Sequence, residues 1–118
     1  MKALPIIPRA LALQDVALAV DFYRSEAGRA VALGFVDALQ QAYEHLARHP
    51  ATGSLRYAHA LELPGLRAWP LRRYPYLVFY FVQPDHVDVW RVLHGARNLP
   101  QWLAGDGGAD EGEAGSPV

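Results

Sequence analysis

Residues 65–103 read GLRAWPLRRYPYLVFYFVQPDHVDVWRVLHGARNLPQWL, and their pattern decides the fold. Tyr76–Val82 is dense in aromatic and β-branched residues, the side chains that suit a pleated, half-buried surface. Gln83-Pro84-Asp85-His86 reads as a turn. Val87–Leu93 reads as the next strand, and strict alternation would put Val87, Val89, Arg91 and Leu93 on one face. Two strands around a tight turn predict an antiparallel hairpin. Leu66–Leu71 is a shorter extended segment, set off by the turn signal Pro64-Gly65. Arg56–Leu63 alternates moderately and reads as a further extended segment. Downstream, Asn98-Leu99-Pro100 closes the region, and Gln101–Leu103 suits one last helical turn.

Upstream the period changes from two to three and four. Leu13, Val16, Ala17, Val20 and Tyr23 predict a helix over 10–24. Gly28 breaks it from a second helix, Arg29–Arg48, whose stripe is Val31, Phe35, Ala38, Leu39, Ala42, Tyr43 and Leu46. Asp37 and Glu44 fall on the opposite side, and His49-Pro50 ends the helix. The expectation is an α+β domain: an N-terminal helical hairpin packed on a small twisted antiparallel sheet of three to four strands. Residues 1–103 are expected to form this single domain, with 1–9 a short extended lead-in. Residues 104–118 carry glycines and no apolar period, and are expected to be a disordered acidic tail.

The chain's 118 residues suit one core and no more. Its formal charge of -1 hides a division. Residues 104–118 hold Asp106, Asp110, Glu111 and Glu113 and no base, so the preceding 103 residues carry 11 bases against 8 acids. The near-neutral total is therefore a weak argument against an anionic partner. Zero cysteines exclude disulfides, thiolate nucleophiles and Cys-ligated zinc, and suit a cytoplasmic setting. No apolar run is long enough for a membrane span, and Pro5 and Pro8 interrupt any signal-peptide core.

The sequence holds no phosphate loop, dinucleotide fingerprint, HExxH or GxSxG. His45 and His49 share a helix face, which is half of a metal site, but a surface pair near the helix C-terminus is the plainer reading. No cofactor is expected. Arginines interleaved with Trp69, Tyr74, Tyr76, Tyr80 and Trp90 describe a surface that could bind protein or nucleic acid. Arg91, set among apolar residues, must reach solvent or find a partner.

The same segment resembles the RelE/ParE toxin superfamily of type II toxin–antitoxin systems, closest to the ParE-like branch. The resemblance rests on an ordered set: the helical hairpin over 10–48, the link His49–Gly53, Gly65-Leu66-Arg67, the strand Tyr76-Leu77-Val78-Phe79-Tyr80, and above all the Arg91–Arg97 phrase RVLHGAR. It implies a growth-inhibiting toxin neutralised by a cognate antitoxin, which wraps it with a helical and extended segment. For ParE-like members it implies protein binding, with DNA gyrase the expected target and no enzymatic step. For RelE-like members it implies an mRNA endoribonuclease acting on the ribosome, and then His94, Arg73, Arg91 and Arg97 would supply the proton transfer and phosphate stabilisation. Arg67, Arg73, Tyr80, Arg91, His94 and Arg97 are the expected partner- or target-binding residues. Lys2 is the only lysine and the C-terminus is acidic, which departs from the ribonuclease pattern. A third reading is a protein-binding module without toxicity.

Overall fold

The computed structural model describes residues 2–95. A strand β1 (Ile6–Pro8) leads into two long helices, α1 (Ala10–Ala27) and α2 (Arg29–Arg48), and a short α3 (Arg56–Ala60) follows. Three strands close the order: β2 (Arg67–Pro70), β3 (Tyr76–Val82) and β4 (Val87–His94). The architecture is α+β as expected, with the helical hairpin against one face of a four-stranded sheet of order β1-β4-β3-β2. Strands β2, β3 and β4 are antiparallel, whereas β1 lies parallel to β4. The lead-in is therefore an edge strand of a mixed sheet.

Gly28 separates the helices because its φ of +97° suits a residue without Cβ. The α2 face follows the predicted period from Phe35 onward, with Phe35, Ala38, Leu39, Ala42 and Leu46 buried, but in the first turn Ala32 is buried and the expected Val31 is exposed. The α1 face is rotated from the expected one. Ala12 and Ala19 are buried, with Val16, Val20 and Tyr23 packed beside them, while Leu13 and Ala17 face solvent. Small alanines at the contact let α1 approach α2 and β4 closely, which is why alanine rather than leucine marks the inner face.

The hairpin core joins Phe35, Leu46, Val78, Tyr80, Val87, Val89 and Val92. A second cluster on the other side of the sheet joins Leu66, Ala68, Phe79 and Leu93. Tyr57, Ala58 and Leu61 pack on it. That packing corrects the expected strand at Arg56–Leu63: Tyr57, Ala58 and Leu61 lie on one helical face, and Tyr57 meets Phe79 edge-on at 5.3 Å.

The register shifts between Phe79 and Tyr80: Tyr80 pairs with Val89, but Phe79 pairs with Arg91. Trp90 is thus the extra residue of a bulge. Past it the alternation changes phase, so Val92 joins the hairpin core with Val87 and Val89, and Leu93 joins the opposite cluster. Val87, Val89, Arg91 and Leu93 therefore do not share one face. No helix among the described residues is long and apolar enough to cross a membrane. The expected turn at Gln101–Leu103 and the tail 104–118 lie outside the described residues.

Candidate functional site

The residues singled out by the sequence fall into separate places. Arg67 and Tyr80 are cross-strand partners in β2 and β3. The fully buried Tyr80 hydroxyl donates to the Pro50 carbonyl at 2.6 Å and accepts the Gly53 N–H at 2.9 Å. Burial raises its pKa. A Cβ at Gly53 would run into that hydroxyl, so the close approach requires glycine. Arg67 donates through one nitrogen to the carbonyls of Ala51 at 2.9 Å and Gly53 at 2.8 Å. Both side chains hold the 50–53 turn against the sheet.

Arg91 is the charge that had to find a partner, and the partner is Asp15 of α1. Nε and a terminal nitrogen donate to the two carboxylate oxygens at 2.8 and 2.9 Å. Asp15 also accepts the backbone N–H of Val92 at 3.0 Å. This last bond has a topological cause. Strand β1 pairs only as far as Pro8 opposite Val89, so β4 has no strand neighbour at Val92 on that side. The Asp15 side chain takes the exposed edge N–H instead. The paired carboxylate raises the Arg91 pKa through its hydrogen bonds.

His94 lies opposite Tyr76, with the rings edge-on at 5.2 Å. Tyr76 and Tyr80 are four residues apart on β3, so His94 on β4 and Arg67 on β2 sit about 13 Å apart along the strands and about 10 Å apart across them. Arg73 lies in the β2–β3 loop, beside a hollow of about 360 Å³ against α2 that Asp37 and Gln41 also line. Its φ of +69° is a left-handed conformation that costs a non-glycine residue on the order of 1 kcal/mol. Arg97 lies outside the described residues. Among the described residues, Arg67, Tyr80 and Arg73 are therefore not gathered with Arg91 and His94 in one constellation.

An exposed apolar groove between the helical hairpin and the sheet edge is expected of a toxin that an antitoxin covers, and the structure supplies residues for it that the sequence did not single out. Leu11, Leu18 and Phe22 are exposed on α1, at spacings that put them on one side with Asp15. Leu18 and Phe22 overhang a hollow of about 340 Å³ whose other walls include Tyr76, Arg91 and Leu93. The signal was present as the 11, 15, 18, 22 spacing. It was masked by Leu13, which is exposed by 57%.

His45 is not a free ligand. Thr52 donates its single hydroxyl proton to the His49 carbonyl at 2.8 Å, so at 3.0 Å it accepts from His45 Nε2. The His45 ring also stacks on Trp69 at 4.3 Å. Among the described residues no group of three or more His, Cys, Asp or Glu could hold a metal ion.

The sequence model of one family, described as the ParE toxin of the type II toxin–antitoxin system parDE, matches residues 6–99. No curated protein sequence matches significantly. A solved structure, the chromosomal ParDE toxin–antitoxin system from P. aeruginosa, has the same fold at a TM-score of 0.65 and 20% identity. The match covers 78% of this chain and 96% of that one.

Proposed function

This chain belongs to the ParE toxin family of type II toxin–antitoxin systems, and from that premise we propose that it inhibits DNA gyrase by binding it, without an enzymatic step, until a cognate antitoxin covers α1. The observation that carries the antitoxin reading is the apolar side of α1. Leu11, Leu18 and Phe22 are 51%, 61% and 39% exposed and share one side of the helix. They border the open edge of β4, where Asp15 and Arg91 supply polar contacts. An amphipathic helix laid along this stripe would bury its apolar face against leucine and phenylalanine, and a following extended segment could run beside β4. The gyrase target rests on the family.

The ribonuclease alternative asks His94, Arg73 and Arg91 to act on one phosphate. Arg91 already commits the guanidinium edge formed by Nε and one terminal nitrogen to Asp15, and Arg73 borders the hollow on the α2 side. That arrangement favours the protein-binding reading. Inducing the chain in cells and scoring supercoiling, DNA damage and transcript cleavage side by side tests it. Loss of supercoiling with intact transcripts is the expected result. Transcript cleavage with unchanged supercoiling overturns it.

A further inference from the structure

We propose that the groove between α2 and the β2–β3 loop is an acidic-peptide site, and that residues 104–118 of the same chain are its ligand. The inference goes beyond the toxin reading and depends on neither gyrase nor an antitoxin.

The groove has two unspent cations. Arg72 and Arg73 are both exposed, and neither guanidinium forms an ion pair or hydrogen bond with another described residue. By contrast Arg9, Arg24, Arg67 and Arg91 are all engaged. The loop is also held firmly. Leu71 donates its N–H to the Tyr76 carbonyl at 3.0 Å, and the Tyr74 hydroxyl donates to the Val31 carbonyl of α2 at 2.8 Å. A Cβ at Gly34 would strike that hydroxyl, so the loop sits tightly on the helix. The two arginines therefore project from a fixed platform, one of them in a left-handed conformation that an unconstrained arginine seldom adopts. Guanidinium forks on a rigid base suit carboxylates.

The ligand is suggested by where the chain leaves the fold. Gly95 donates its N–H to the Pro75 carbonyl at 2.8 Å. Pro75 is two residues from Arg73, a span of at most about 7 Å. Gly95, the last described residue, thus lies close to the arginine pair. Asp106 follows 11 residues later and Glu113 18 residues later. The random-coil span for 11 to 18 residues is about 18–23 Å, ample for the short return. Tethering gives the four acids Asp106, Asp110, Glu111 and Glu113 a local concentration on the order of millimolar at the groove. One residue opposes this: Asp37 also lines the groove, and it repels a carboxylate there. Its neutralisation should strengthen the contact.

The test uses the full chain, which has no cysteine, so that Ser116→Cys carries a single nitroxide label. At low salt, the amide signals of Arg72, Arg73, Tyr74, Asp37 and Gln41 should lose at least about half their intensity through paramagnetic relaxation. Raising sodium chloride to about 0.5 M should restore them, because the Debye length then falls to a few Å. Neutralising the tail (Asp106→Asn, Asp110→Asn, Glu111→Gln, Glu113→Gln) should restore them without touching the folded domain, and Asp37→Asn should deepen the loss. Equal broadening at Arg29, Arg48 and Arg56, or none beyond the residues next to Gly95, would overturn the proposal. So would broadening that survives tail neutralisation. Broadening of an isotope-labelled, nitroxide-free chain mixed with a labelled partner copy would overturn the intramolecular contact.

Discussion

Replacing Arg91 by methionine keeps most of the aliphatic stem and removes the guanidinium, leaving Asp15 with a single donor, the N–H of Val92. The Asp15 side chain is only 10% exposed and that of Arg91 22%. A solvent-exposed ion pair contributes about 0–1 kcal/mol, and breaking a fully buried one costs about 3–5 kcal/mol. With two parallel hydrogen bonds at 2.8 and 2.9 Å and this partial burial, the cost of Arg91→Met should be about 2 kcal/mol. In a domain of this size each kcal/mol moves the melting temperature by about 4–8 °C, so the variant should melt about 8–16 °C lower. Asp15→Asn retains an acceptor for Val92 and removes the charge, and the double variant completes a cycle. The coupling should be about 1.5 kcal/mol and should persist at about 1 M salt, since a part-buried pair is weakly screened. A melt within about 2 °C of the parent, or additive single variants, would refute the reasoning that this pair locks α1 to the open edge of β4.

Tyr80→Phe removes the hydroxyl that joins the Pro50 carbonyl and the Gly53 N–H; leaving both unsatisfied should cost about 1.5–3 kcal/mol in urea unfolding, and a loss below about 0.5 kcal/mol would show that the 50–53 turn does not depend on it. Acid stability should carry the signature of Asp88, whose pKa is lowered chiefly by its hydrogen bonds from Arg9. A carboxyl with a depressed folded pKa contributes fully above its unfolded value of about 3.9, and the contribution disappears as pH falls through the lower folded value. Asp88→Asn should therefore flatten the loss of stability below about pH 4, measured by unfolding at a series of pH values, whereas an unchanged acid limb would contradict the pairing.

Much of this fold was legible locally. The bounds of β3 coincide with the aromatic run Tyr76–Val82, and α2 with its apolar stripe, because both signals are carried by adjacent residues. What was hidden depends on distant partners. Strand β1 is three residues ending in proline, and only the edge of β4, some 80 residues away, makes it a strand. The Trp90 bulge is a mismatch between two strands, so no inspection of β4 alone reveals that Val92 and Leu93 exchange faces. The need of Arg91 for a partner was readable; that Asp15 would meet it was not, since the pair spans 76 positions. The RVLHGAR phrase did point to the family. It did not mark a cluster, because Arg91 is bound to α1, His94 packs against Tyr76, and Arg97 lies outside the described residues.

The reading proposed for this chain stands or falls with the apolar side of α1 as the surface an antitoxin covers. Isothermal titration of the cognate antitoxin against the parent chain and Leu18→Asp tests it most directly. Leu18 is 61% exposed, so the substitution should leave the melting temperature within a few degrees of the parent. A carboxylate placed in the apolar interface should weaken binding by about a hundredfold, roughly 2.7 kcal/mol. An unchanged affinity in a normally folded Leu18→Asp variant would contradict the claim.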